Sequence, residues 1–306
     1  GPQGARRPAA AGGPSFLKCP SGIVYDVYDG STKPVINAFT TLTGWINQGG
    51  GIWSSTNANL GSTLKKVTID ADHYSPGRLV KFNETDHGFL TISSATTTQI
   101  TNSAIGTAPN FVGGQLTFKS SLYTVDLGPI TAKSGNTLTF SAPLSYGQPD
   151  NGWGFIVSNH PSLLTEFGEW AYNASTKTVS MFFGTEFPTD YIIKASASTN
   201  CVTSSGGINN VQFKNIILEG SNGDGANIGG ANTFTFDNVE VRQIGGDGIN
   251  AVNHPYLTVE NDCYIHDVNN CGVWTTVGSS YATVDNNRVE RIGLDITLGK
   301  GGVSSA

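Results

Sequence analysis

The sequence has little charge of either sign. Asp, Glu, Lys and Arg make up 13% of its 306 residues, about half of ordinary usage. The balance is slightly acidic, 23 Asp+Glu against 17 Lys+Arg, so the basic footprint of a nucleic-acid binder is missing. No apolar run reaches 18 residues, which excludes a membrane-spanning helix. Methionine occurs once, and good helix formers are scarce throughout. Cysteine is sparse too. Cys19, Cys201, Cys263 and Cys271 show no C-x-x-C spacing, so a zinc ribbon is not expected. An even count permits disulfides without requiring any.

What is present is glycine, 39 residues, roughly twice the usual share, with many Thr, Ser and Asn. Hydrophobic residues at 38%, including 15 Phe, 10 Tyr and 5 Trp, suffice for a core and exclude wholesale disorder. This composition predicts an all-β protein rich in turns. Residues 1–14, GPQGARRPAAAGGP, carry no period and read as a linker or cloning remnant, set apart from the fold.

An internal repeat fills the last third. Phe213-Lys214-Asn215, Phe236-Asp237-Asn238, Val259-Glu260-Asn261 and Val284-Asp285-Asn286 share the pattern apolar, charged, Asn, with Asn-to-Asn steps of 23, 23 and 25. A parallel column runs Asp224-Gly225, Asp247-Gly248, Cys271-Gly272. Short alternating stretches follow each Gly: Ala226-Asn227-Ile228, Ile249-Asn250-Ala251, Val273-Trp274-Thr275. The period is too short for a propeller blade and lacks a helical pattern. It fits one coil of a right-handed parallel β-helix, whose coils bury their inward faces by stacking. The Asn column suits a tight turn, since Asn tolerates left-handed backbone and stacked amides can bond one another. Two buried ladders are predicted: Phe213, Phe236, Val259, Val284, and Leu218, Val241, Tyr264, Val289. Cys263 and Cys271 flank seven residues and could bridge them if the protein is secreted.

Residues 37–200 break the period. Short alternating stretches separated by turns, such as Lys66-Val67-Thr68-Ile69-Asp70 and Asn136-Thr137-Leu138-Thr139-Phe140, predict a β-sandwich or barrel-like module. The expected organisation is therefore first β-helix strands at 15–36, an inserted β module at 37–200, and coils over 201–306.

The residues Gly44-Trp45, Gly50-Gly51-Ile52-Trp53, Leu64 to Asp70, Gly77-Arg78, Ile130 to Thr139, Gly168-Glu169-Trp170 and Arg291-Ile292-Gly293-Leu294 carry a resemblance. Together they resemble secreted right-handed β-helix proteins common in Bacteroidota, over roughly residues 20–306. Those relatives include glycoside hydrolases, polysaccharide lyases and surface proteins. The resemblance implies a secreted or cell-surface location, a polysaccharide or glycan partner, and further coils beyond Ala306. It also implies a substrate groove on the sheet that follows the Gly column. The outward positions of that sheet are then Asn227, Asn250 and Trp274; Asp224, Asp247, His266 and Asp267 enter it, and His254 leaves it.

Asp224 and Asp247 occupy the same place in successive coils, about 4.8 Å apart in backbone. Two carboxylates that close suit the acid and base of glycoside hydrolysis. Equally, Asp-Gly is a common turn dipeptide. Trp274 offers a flat face for a sugar ring. His254 is a loop residue before Pro255, and His266 beside Asp267 is either an oriented base or a surface pair. Asp237, Glu260 and Asp285 form a further acidic column, expected to be a solvated face. No cofactor is called for; calcium remains an alternative for the acidic columns, although a straight ladder converges poorly on an ion. The leading expectation is a glycoside hydrolase acting on a polysaccharide. The alternatives are a non-catalytic glycan-binding or adhesion β-helix and a polysaccharide lyase. Arg242 is the only cation among groove columns 224–274, which counts against a lyase.

Overall fold

The computed structural model describes residues 17–295, apart from 19, 28–31, 84, 86, 122–123, 143, 205–206, 231–232, 254–255, 277–278 and 280. The fold is all-β: a right-handed parallel β-helix with additional sheets inserted into it. Three parallel sheets of five strands each form the β-helix. The first sheet runs Leu17–Lys18, Val202–Thr203, Ala226–Asn227, Ile249–Asn250 and Val273–Trp274. The second runs Val24–Tyr25, Val211–Lys214, Thr233–Asp237, Tyr256–Glu260 and Thr283–Val284. The third runs Val35–Asn37, Ile217–Glu219, Glu240–Ile244, Tyr264–Val268 and Arg288–Ile292.

The first predicted ladder forms in register, Phe213 to Phe236 to Val259 to Val284. Phe213, Phe234 and Phe236 are fully buried. The Phe213 and Phe236 rings stack 5.5 Å apart. Burying each such ring contributes about 1.5–3 kcal/mol, so this column is a main source of the core. The second ladder differs at two rungs: Leu218 and Val241 align with Ile265, not Tyr264, and then with Val289, which is in register but 41% exposed. Tyr264 instead pairs with Glu240 and Arg288 and faces out. The turn before it holds an extra left-handed residue, Asp262 after Asn261 (φ 61° and 57°). One added residue shifts every following side chain to the other face.

Asn215, Asn238, Asn261 and Asn286 all have positive φ, as a left-handed turn column requires. The Asn238 amide donates to Asn215 Oδ1 at 2.8 Å. Asn261 donates to Asp237 Oδ1 and Asn286 to Asp262 Oδ1. The Gly column has a steric cause: a Cβ on Gly248 would lie 2.4 Å from the Gly272 carbonyl oxygen.

Cys201, Cys263 and Cys271 are buried thiols and do not bridge. Cys19 lies outside the described residues. Cys263 Sγ turns inward, where it meets the Val239 N–H at 3.3 Å. The strand Tyr264–Val268 separates the two cysteines. Five extended residues span about 16 Å, beyond disulfide reach.

The inserted region leaves and returns at one point: Ala38 N–H bonds Glu219 O, and Ala197 N–H bonds Ala38 O. It holds two cores, not one. Two four-stranded antiparallel sheets enclose Leu42, Val67, Ile69, Trp170, Met181 and Ile193. A seven-stranded antiparallel sheet between Leu90 and Ser158 encloses Ile100, Phe111, Leu116, Phe118, Leu138 and Phe155. This second unit is nested within the first, between strands Asp72–Tyr74 and Trp170–Asn173.

Candidate functional site

The outward column of the first sheet runs in register Thr203, Asn227, Asn250, Trp274. Their inward neighbours Val202, Ala226, Ile249 and Val273 are buried. Alternation therefore puts both Asn amides and the indole on the surface, half-exposed, at about 4.8 Å per coil.

Asp224 and Asp247 lie directly before this column, in consecutive coils. Each carries a ladder bond. Asn200 Oδ1 accepts from Asp224 N at 2.8 Å, Asp224 Oδ1 from Asp247 N at 3.0 Å, and Asp247 Oδ1 from Cys271 N at 3.1 Å. The second oxygens take Asn amides three residues on: Asn227 to Asp224 Oδ2 at 2.8 Å and Asn250 to Asp247 Oδ2 at 3.4 Å. Asn270 Nδ2 adds a bond to Asp247 Oδ1 at 2.6 Å. Asp247 is buried at 5% exposure, whereas Asp224 is half-exposed. The turn role is therefore real, but it needs no charge, because Asn200 performs it in the preceding coil. A Cβ on Gly246 would sit 2.8 Å from Asp224 Oδ1, so glycine there leaves room for the carboxylate.

His266 does not enter this groove. It lies mid-strand in the third sheet, 8% exposed, with both ring nitrogens engaged. Nδ1 meets Asp267 Oδ2 at 2.6 Å and Nε2 meets Glu240 Oε1 at 3.3 Å. It belongs to a charge ladder in which Arg242 bridges Glu219 (2.7 Å) and Glu240 (2.8 Å), while Arg291 grips Asp267 (2.7 Å). Hydrogen bonds from His266 and Arg242 outweigh burial and hold the Glu240 carboxyl at about 2. Burial would raise Asp267, but bonds from Arg291 and His266 keep it at about 2. Such a satisfied network ties coil to coil. His254 lies outside the described residues. Lys214 heads the acidic column, 2.9 Å from Asp237. Among the described residues no group of three or more His, Cys, Asp or Glu converges to hold a metal ion.

Nothing in the repeat or the motifs announces a cleft where the inserted region meets the late coils. Its first part, about 430 Å³, is lined by His73, Tyr74, Arg78, Lys81, Phe167 and Leu294, among others. A second part of about 200 Å³ shares Pro76 and Arg78 and reaches Lys65, Trp170 and Asp295. One wall, Ser62–Lys65, is tied to the groove corner: Asn222 Nδ2 donates to Thr63 O, and Asn269 Nδ2 to Lys65 O. Beneath it Lys66 is fully buried and donates to Asp267 O and Asn269 Oδ1. Burial lowers its pKa to about 7, against the pull of Asp267 and Asp295. Alternation gave no signal of this burial, because Lys66 shares a face with Thr68 and Asp70, a pattern that reads as solvent-facing.

A family model described as "Right handed beta helix region" matches residues 195–304. Curated proteins give no match. Among solved structures, one titled "Glycoside hydrolase" aligns with TM-score 0.67 at 11% identity, covering 85% of this chain. The chain spans 60% of that structure's length. At this identity the likeness shows the fold alone. "The complex structure of XylC with xylose" aligns at 11% identity over 92% of this chain and 47% of that one, with TM-score 0.49, too loose to bear on the site.

Proposed function

We propose that this chain belongs to a carbohydrate-active protein, secreted or held at the cell surface, that hydrolyses a polysaccharide laid along the first sheet. In this reading Asn227, Asn250 and Trp274 line the sugar site. Asp224 meets the scissile bond, and Asp247 is the carboxylate behind it. The observation that carries the proposal is the Asn200–Asp224–Asp247 column. The turn is capped by an uncharged residue once, so the two charges beside the Trp274 platform exceed what the turn requires. The adjacent-coil spacing of about 4.8 Å is nearer the roughly 5–5.5 Å of retaining hydrolases than the inverting separation. The fold shared with a glycoside hydrolase is consistent with this but does not choose it, since function lives in the site.

Asp224→Asn is the decisive variant. It keeps Oδ1 for the Asp247 N–H, and a flip of the Asn227 amide meets the new NH2. Stability should change by less than about 1 kcal/mol, while the rate falls at least about 10²-fold. The assay is a polysaccharide panel read for reducing ends and for absorbance from unsaturated products. Unsaturated products would mean a lyase, and binding without either signal a glycan-binding module. Full activity in Asp224→Asn would return the residue to the turn alone. Trp274→Ala is expected to weaken binding of the active polysaccharide about 10-fold through lost ring stacking. An unchanged titration would remove Trp274 from the site.

A further inference from the structure

Two cations that line the cleft, Arg78 and Lys65, make no side-chain hydrogen bond or ion pair among the described residues, and the carboxylates Glu166 and Asp295 line it with them. Lys81 is paired with Glu169. The other Glu169 oxygen accepts from Thr165 N at 2.8 Å and Glu166 N at 3.0 Å. Arg78, in contrast, has no hydrogen bond or ion pair to its guanidinium among the described residues, although it forms the boundary between both parts of the cleft. A guanidinium withdrawn from water without a partner is costly, and its planar fork matches an oxyanion in bidentate fashion. Apolar faces stand nearby: Phe82, 57% exposed, and Phe167, 37% exposed and edge-on to Tyr74 at 5.9 Å. A volume of about 430 Å³ is in the range of small-ligand sites.

We propose that this cleft binds an acidic sugar unit, its carboxylate or sulfate on Arg78 and its ring against Phe82 and Phe167. This rests on the reading that the protein engages a polysaccharide and adds the substrate class: an anionic glycan. The position fits a subsite, because the wall Ser62–Lys65 is bonded to Asn222, in the corner that leads to Asp224, and to Asn269, in the corner that leads to Cys271, whose N–H bonds Asp247. A polymer crossing the first sheet thus has an anchor beside it. Burial lowers the Arg78 pKa, partly offset by Asp295 and Glu169.

The test measures binding rather than product formation. Wild-type protein is titrated by calorimetry with short oligogalacturonide, with the same oligosaccharide reduced to its neutral form, with a sulfated galactose oligosaccharide, and with inorganic sulfate. At least one acidic oligosaccharide is expected to bind 10-fold or more tighter than the neutral one, and the better of the two identifies carboxylate or sulfate. Arg78→Gln should abolish that preference. Phe82→Ala, at an exposed position, should weaken the acidic ligand about 5-fold with an unchanged melting temperature, which guards against misfolding of the Arg78 variant. Equal binding of acidic and neutral forms, or an unchanged preference in Arg78→Gln, would overturn the proposal. So would inorganic sulfate binding as tightly as the sugar. Repeating the titration in Asp224→Asn separates the two claims: the acidic preference should persist there even if hydrolysis is disproved.

Discussion

Lys66→Ala is expected to destabilise the protein by about 3–5 kcal/mol, through loss of both a buried stem and two hydrogen bonds. The lysine is wholly buried. Its amine is the donor for Asp267 O at 2.8 Å and Asn269 Oδ1 at 2.9 Å. Removal leaves a cavity and two buried acceptors without donors, and each unsatisfied group costs about 1–3 kcal/mol. The damage falls on the seam between inserted region and β-helix, where Asn269 also donates to Lys65 O. Lys66→Met separates the contributions. It keeps the stem, loses the donors and relieves the burial of an amine, so its loss should be clearly smaller. Urea titration and calorimetry of both variants give the comparison. A Lys66→Ala protein within 1 kcal/mol of wild type would show that the seam does not depend on this residue.

The second expectation is a loss of stability on mild acidification that depends on His73. Burial, reinforced by Lys66 and Arg78 and opposed by Asp267, lowers its pKa to about 3. Its Nδ1 is buried with no hydrogen-bond partner among the described residues. Above pH 6.5 the ring is neutral in both folded and unfolded chains and adds no slope. Below it the unfolded histidine binds a proton that the folded one refuses until about pH 3, so stability falls as pH falls. The full shift sets an upper bound of about 5 kcal/mol. Lys66 acts in the same sense at higher pH. Folded, it loses its proton near 7, but unfolded only near 10.5, so stability rises across that interval. The carboxyls held lowest, Glu240 and Asp267 at about 2, lose their pairing advantage only as pH falls below about 4.5. Between pH 6.5 and 4.5 His160, whose pKa burial also lowers, adds a slope of the same sign, so scanning calorimetry compares wild type with a His73 variant. His73→Phe should flatten the decline in melting temperature seen in wild type. Parallel declines in the two proteins would refute the assignment.

The β-helix was legible because stacking converts three-dimensional adjacency into a sequence period. Phe213, Phe236 and Val259 sit at equal steps because each lies on the one before. The Asn and Gly columns repeat because one steric demand recurs in each coil. The reading slipped where the period does: the extra residue at Asp262 reversed the faces of Tyr264 and Ile265. It also missed a second left-handed column, Gly220, Gln243, Asp267 and Arg291. Its steps are regular, but its residue types share no letter. There the backbone, not the side chain, is the repeated feature.

Asp224, Asp247, Asn227, Asn250 and Trp274 could be brought together from spacing alone, since in-register neighbours need no long-range information. His266 could not be placed that way. Its distance along the chain from the Gly column did not reveal that a corner intervenes and puts it on another sheet. Sequence by itself thus determined the coil, its inward ladders and the column of polar residues on one face, because each depends only on contacts between equivalent positions one turn apart. The tertiary structure alone decided the cleft, the seated Lys66, the buried His73 and the unpaired Arg78. Those join residues 66–82 and 167–170 to 267–295, across separations set by how a nonrepeating insertion docks, and no local periodicity encodes that docking.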